Sequence, residues 1–262
     1  MNLYIFETYL VHFIMENNNQ ESTVQSNFSI PYYEISFDKF FQFGMSVDCV
    51  VFGYHHDKLK VLIIKRGAPP YKGRWALPGD LVYPNENIDV AAKRILKDLT
   101  DIDNLFMEQT KVYGRVDRHP AGRVVTTGYY SLIDIERHDP HASAWADGVY
   151  WMDVDDCPHL AFDHDEILKD ALQELRKKVR HEPIGFELLP EKFALAQLQS
   201  LYEALLDESY DKANFRKRFL SMGMLDALEE YQKDVNHRPG KLYSFNKGRY
   251  KQLLSKGFSF EL

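Results

Sequence analysis

The segment DKANFRKRFLSMGML, Asp211–Leu225, concentrates side chains that read nucleic acid. At about 100° per residue, a helix here gathers Phe215, Phe219 and Met222 on one face. Asn214, Lys217, Arg218 and Ser221 then point largely the other way. Asn pairs bidentately with adenine and Arg with guanine, while Lys217 and the flanking Arg216 suit phosphate oxygens, and Lys212 at the helix start joins the DNA-binding candidates. Asp211 fits an N-cap, which turns the backbone N–H groups of the helix start toward a phosphate. Downstream, His237, Arg238 and Lys241 surround the Pro239–Gly240 turn and suit the DNA backbone or minor groove. A plain packing or dimerisation subdomain is the competing reading of this pattern.

Other chemistry is thin. The two cysteines, Cys49 and Cys157, lie without ligand spacing, so neither a disulfide framework nor a structural zinc site is expected. No Ser-His-Asp arrangement or phosphate-cradling Gly-rich loop emerges from the spacings. The residues lead to an expectation of no catalytic residue, no metal and no cofactor.

The elements that must carry the basic face follow from periodicity. FALAQLQSLYEALL places Leu195, Leu198, Leu201, Tyr202 and Leu205 at helical spacing. The DESYD connection and KANFRKRFLSMGML complete a helix-turn-helix. DALEEYQKDVNHRPGKLYSFN reads as two strands around a Pro-Gly turn, a wing. Upstream, Ser46–Arg66 reads as a hairpin turning at His55–Lys58. Ile88–Leu99 reads as an amphipathic helix with Ile88, Ala91, Ala92, Ile95, Leu96 and Leu99 inward. TKVYGRV, RVVTTGYYSLIDI and GVYWMDV read as strands, and DHDEILKDALQELRKKV as a long helix, giving an α/β domain that ends near Val179.

The 262 residues carry 32 Lys and Arg against 39 Asp and Glu, a net charge of -7, and 45% hydrophobic residues exclude global disorder. The charge is segregated. Residues 211–256 hold 11 Lys and Arg against 5 Asp and Glu, a net of +6, whereas residues 1–210 hold 21 against 33, a net of -12. The opening MNLYIFETYLVHFIM lacks a basic n-region, contains Glu7 and is too short to span a bilayer. Residues 1–36 are therefore read as a flexible extension, with Met15 as an alternative start, on a cytoplasmic protein without a membrane segment.

The stretch RWALPGDLVYPNENIDVAAKRILKDLTDI resembles the Nudix box of enzymes that cleave nucleoside diphosphates linked to another group. In the register of that box Asp80 stands at a Gly position, Glu86 and Arg94 match, and Leu96 and Ile102 fill aliphatic positions. The carboxylates that would hold Mg²⁺ on one helical edge fall at Ile95, Asp98 and Leu99, so that edge is largely aliphatic. With LAFDHDEIL, DKANFRKRF and HRPGKLY, the chain resembles Nudix-related transcriptional regulators from about Phe37 to Asn246. Within them it is most similar to the arabinose-responsive regulators of Bacteroidetes. The implied fold is an α+β Nudix-like mixed sheet with helices over 37–182, followed by a winged helix-turn-helix over 183–262.

The resemblance implies a homodimer on double-stranded operator DNA, with a sugar, L-arabinose, as the small-molecule effector of a catalytically inactive Nudix-like domain. Around the expected cleft, Lys65, Arg66, Trp75, Glu86, Arg115, Asp117, His119, Arg123 and Tyr129 are the candidate effector residues. Each has a plain alternative: Trp75 as core, Glu86 with Arg94 as a structural salt bridge, DRHPAG as a polar turn. His164 in FDHDEIL is explained equally by a local helix-start hydrogen bond. The competing functions are a Mg-dependent hydrolase of ADP-ribose or a related nucleoside diphosphate, and a non-catalytic protein-interaction module.

Overall fold

A computed structural model describes residues 43–103, 105–233 and 238–262. The extension expected over 1–36 and the wing residue His237 lie outside the described residues. Strands β1 (Gly44–His55) and β2 (Lys58–Arg66) form the hairpin predicted from the sequence, with His55 opposite Lys58. His56 and Asp57 at its tip take φ of 50° and 58°, which matches a two-residue turn to the twist of its strands.

β1 lies at the centre of a 7-stranded mixed sheet. Beside it β6 (Val124–Asp134) runs parallel, from Gly44 against Val124 to Tyr54 against Asp134. β5 (Glu108–Tyr113) pairs antiparallel with β6, while β3 (Trp75–Ala76) and β7 (Ala146–Asp153) both pair with β2. The short β4 (Gly79–Leu81) pairs with the start of β1.

Strand alternation sorts the core into two layers. Val47 and Cys49 of β1 face α1 (Ile88–Thr100), which buries Ala91, Ala92, Ile95 and Leu99 against them. Val50 and Phe52 face the opposite layer, where α2 (His164–His181) contributes Ile167, Ala171, Leu175 and Val179.

That second layer does not stop at the end of α2. It continues through a 3₁₀ turn at Ile184–Leu188 into β8 (Phe193–Ala194), α3 (Leu195–Leu206) and α4 (Lys212–Ser221). Then β9 (Leu225–Tyr231) and β10 (Lys241–Phe245) pair antiparallel, and β8 adds to the far edge of β10. A final helix, α5 (Lys247–Ser255), has no fully buried residue, which is why apolar periodicity did not predict it. Asn246 caps it by accepting from the Arg249 N–H at 2.8 Å. The fold is thus a mixed α/β Nudix-like domain followed by a winged helix. No helix among the described residues is long and apolar enough to cross a membrane.

Candidate functional site

A cleft of about 620 Å³ opens beside the first residues of β1. Its floor is a buried ionic network. Arg118 donates to both oxygens of Asp163, at 2.8 and 2.7 Å, and to Asp48 at 3.2 Å. His164 places Nε2 3.3 Å from the other Asp48 oxygen, while its Nδ1 accepts the backbone N–H of Leu77 at 2.9 Å. His164 is thus fixed by a residue distant in sequence, not by the local helix-start bond its sequence context allowed. Burial works against an ionised Asp48, yet His164 and Arg118 outweigh it and hold the carboxyl down at about 2.

One wall is built on Arg66 at the end of β2. Its guanidinium lies 4.6 Å from the ring centre of Trp145 and 4.9 Å from that of Phe162, and its Nε donates to the Pro70 carbonyl at 2.7 Å. Trp145 is itself held by Nε1 donating to Asp80 at 3.1 Å. His119 also stacks on Phe162, with ring centres 5.2 Å apart and planes at 9°. Burial, and then the nearby Arg118 and Arg66, lower the pKa of His119 and favour its neutral ring. Phe162 takes φ of 59°, and Tyr71, edge-on to it at 4.8 Å, takes 61°. Left-handed backbone at an aromatic residue costs roughly 1–2 kcal/mol, a strain that concentrates where geometry serves a site. The wall presents a cation clamped between aromatic planes, suited to an anionic group beside a flat ring, with carboxylates below to accept hydroxyls.

Of the residues predicted for effector binding, Arg66, His119 and Arg123 line this cleft. Arg123 donates to the carbonyls of Gly114 and Arg115 at 2.6 and 3.1 Å, bracing the rim loop. The others lie elsewhere. Lys65 points to the opposite sheet face, over Trp75 at 5.9 Å, and Trp75 packs edge-on to Tyr150 beside the α2 layer. Glu86 is clamped by Arg94 at 2.6 and 2.9 Å and accepts the Tyr83 N–H, a structural bridge across the loop. Arg115 and Asp117 pair with each other at 2.9 Å on the surface. Tyr129 is buried, with its hydroxyl bound to Asp89. Alternation hides these reversals: a one-residue step along β2 separates Arg66 from Lys65 and puts them on opposite faces. The sequence reading missed Asp48, Asp80, Arg118, Trp145 and Phe162. A signal existed only for Arg118, which sits between two candidates in DRHP.

The helical edge that would carry metal in the Nudix box does not fit a divalent cation. Ile95 and Leu99 are buried in the core, and Arg94 engages Glu86 and lies 3.4 Å from Asp98. Among the described residues, no group of three or more His, Cys, Asp or Glu is placed to hold a metal ion.

The second candidate surface is α4. Asp211 caps it by accepting the Asn214 N–H at 2.9 Å, Phe215 and Phe219 are buried, and Lys212, Asn214, Arg216 and Lys217 are exposed. The remaining predicted contacts are engaged within the chain. Arg218 donates to the Glu261 carbonyl, Ser221 to the Arg218 carbonyl, and Lys241 pairs with Glu229 at 3.1 Å. Arg238 is exposed beside Pro239, at the base of the wing.

A mixed-sheet Nudix domain with a cleft at the start of β1, joined to a winged helix with a basic second helix, defines a class. Residues 42–175 match the NUDIX domain family, and residues 185–245 match the NrtR DNA-binding winged helix domain. The chain belongs to the family of DNA-binding regulators that join these two domains. It is 33% identical over 209 residues to the ADPR responsive transcriptional repressor NtrR of Acinetobacter baylyi, covering 77% of this chain and 81% of that protein. The crystal structure of Shewanella oneidensis NrtR complexed with a 27mer DNA is 28% identical and superposes with a TM-score of 0.62, covering 77% of this chain and 93% of that one.

A third relative corrects the expectation that the chain is not an enzyme. Over 114 residues, 44% of this chain and 66% of the relative, it is 33% identical to the ADP-ribose pyrophosphatase of Methanocaldococcus jannaschii. The expectation rested on one helix edge, Ile95, Asp98 and Leu99. The cleft draws its carboxylates from other elements, Asp48 on β1 and Asp80 on β4.

Proposed function

We propose that the chain is a ligand-responsive transcriptional regulator whose Nudix domain takes a nucleoside diphosphate sugar of the ADP-ribose class. The observation that carries this reading is the Arg66 wall. A guanidinium held between Trp145 and Phe162 suits a pyrophosphate, and the neutral His119 ring stacked on Phe162 offers a plane for a base. A pentose alone leaves both features without a partner. The Acinetobacter relative is named ADPR responsive and the Shewanella structure holds a 27mer DNA, which favours a ligand of the ADP-ribose class over L-arabinose. Two copies would place two α4 helices on half-sites about 34–36 Å apart, as two-fold operators require.

Hydrolysis of the same ligand is a second reading, favoured by the identity to a pyrophosphatase. It would draw on Asp48 and Asp80 in the cleft rather than on the aliphatic edge of α1. One experiment separates the readings. Fluorescence anisotropy on duplexes from upstream of the neighbouring genes is repeated with ADP-ribose and with L-arabinose, and product release from ADP-ribose with Mg²⁺ is followed in parallel. The regulator reading expects DNA affinity to change with ADP-ribose and not with L-arabinose; affinity indifferent to ADP-ribose would overturn it. Turnover above about 1 s⁻¹ would establish the enzymatic reading as well.

A further inference from the structure

Arg218, one of two arginines on α4, is held by Glu261 and its neighbour Leu262. Its Nε and Nη2 donate to the carbonyl oxygen of Glu261, at 3.2 and 2.7 Å. The next residue, Leu262, donates its backbone N–H to the Arg180 carbonyl at 3.1 Å. Arg180 lies in the last turn of α2, whose opposite end carries His164 and is preceded by Asp163, both in the ionic floor of the cleft. The segment is anchored by Phe260, which is 1% exposed and lies 6.2 Å from Phe219 and 6.4 Å from Tyr202. Helical spacing explains why Arg218 is the residue caught. It sits on the flank of the Phe215–Phe219 stripe, not on the opposite face where the sequence reading grouped it with Lys217, which points directly away.

We propose that Glu261 and Leu262 are positioning residues for DNA recognition: they hold Arg218 away from phosphate and tie α4 to α2. Contact between Arg218 and DNA then requires exchange of a neutral carbonyl acceptor for a charged one. The bond to the Glu261 carbonyl is charge-assisted on the donor side alone, whereas a phosphate adds an opposing charge and a bidentate fit to the guanidinium, so the exchange is favourable once Glu261 lets go. One route by which a shift of α2 reaches Arg218 runs through two hydrogen bonds, from the Leu262 N–H to the Arg180 carbonyl and from Arg218 to the Glu261 carbonyl. The ligand arm of this inference rests on the proposed function; the DNA arm rests on the winged helix alone.

The test compares the full chain, a form lacking Glu261 and Leu262, and Leu262→Pro, which removes the N–H donor at full length. Each is made with and without Arg218→Ala and titrated by anisotropy on one duplex that the full chain binds, across a salt series. Both released forms are expected to steepen the slope of log K against log salt by about 0.9, one phosphate contact. Arg218→Ala should leave the full-chain slope unchanged and abolish the added steepness in the released forms. Identical slopes for full and released forms, or a shallower slope for Arg218→Ala in the full chain, would overturn the proposal. With ADP-ribose present, the released forms should bind it as the full chain does, yet show a smaller change in DNA affinity than the full chain shows. An undiminished response in them sinks the tie to α2. A full chain that ignores ADP-ribose counts against the ligand reading, while the salt slopes still decide on the positioning residues.

Discussion

At the residue scale, the cleft depends on groups whose charge is maintained by neighbours. Arg66→Ala removes the cation and leaves Trp145 and Phe162 without their shared partner; hydrogen bonds to charged groups contribute about 1.5–3 kcal/mol. ADP-ribose affinity by calorimetry is expected to fall roughly 10- to 100-fold, with Arg66→Lys recovering only part because ammonium lacks the planar stack. Asp48 has an acid signature. Its carboxyl is held at about 2 against an ordinary 3.8, so its contribution to stability is complete above pH 4 and is lost as pH falls toward 2. Asp48→Asn should flatten that part of the denaturation profile. At pH 7 it should cost about 3–5 kcal/mol in urea unfolding, since it leaves Arg118 and His164 buried with one partner fewer. A variant as stable as the parent at pH 7 would show the network to be dispensable. The sequence made Arg66, His119 and Arg123 legible because charge and aromatic character suit polar ligands. Asp48 was illegible because it lies in an apolar strand, and Phe162 because an aromatic residue before a helix reads as core; only the fold brings them beside the loop at 118–123.

At the element scale, periodicity carried most of what was readable. The β1–β2 hairpin, α1, α2, α3 and α4 follow from apolar spacing, since each buries one face. β3, β4 and β8 escaped because two or three residues cannot show a period, and α5 because its face is only half-buried. α1 illustrates how one pattern supports two readings. Ile95 and Leu99 stand where a Nudix box places acids, and the same positions complete the stripe with Ala91 and Ala92. Leu99→Ala should therefore cost about 2–5 kcal/mol in urea unfolding, as a core truncation does, while Asp98→Asn on the exposed edge should change stability by less than about 1 kcal/mol. Equal effects at the two positions would contradict the packing role of this edge. Asp211→Ala tests the other functional helix. Loss of the cap to the Asn214 N–H should cost about 1 kcal/mol and weaken DNA binding modestly, leaving ADP-ribose affinity unchanged.

At the scale of the whole molecule, the net charge of -7 conceals a division of labour. A +6 segment carries the winged helix's basic faces, and the acidic remainder carries the cleft. The apolar core is not divided in the same way. Leu175 and Val179 of α2 belong to one cluster with Leu198, Tyr202, Phe215 and Phe219 of the winged helix, and Arg176 and Arg180 add bonds to Leu205 and Glu208 across the same junction. Domains that share a core unfold together, and the tryptophans make this measurable. All three, Trp75, Trp145 and Trp151, lie in the Nudix domain, so their fluorescence reports that domain alone. Phe219→Ala, wholly inside the winged helix, should cost about 3–5 kcal/mol. If the core is continuous, the tryptophan midpoint should fall with the far-ultraviolet dichroism midpoint, and the two curves should coincide. A tryptophan curve that stays at the parental midpoint while the dichroism splits into two steps would mean that the domains unfold independently. Coupling from cleft to DNA would then pass through the polar bridges at Arg176, Arg180 and Leu262 without help from the core.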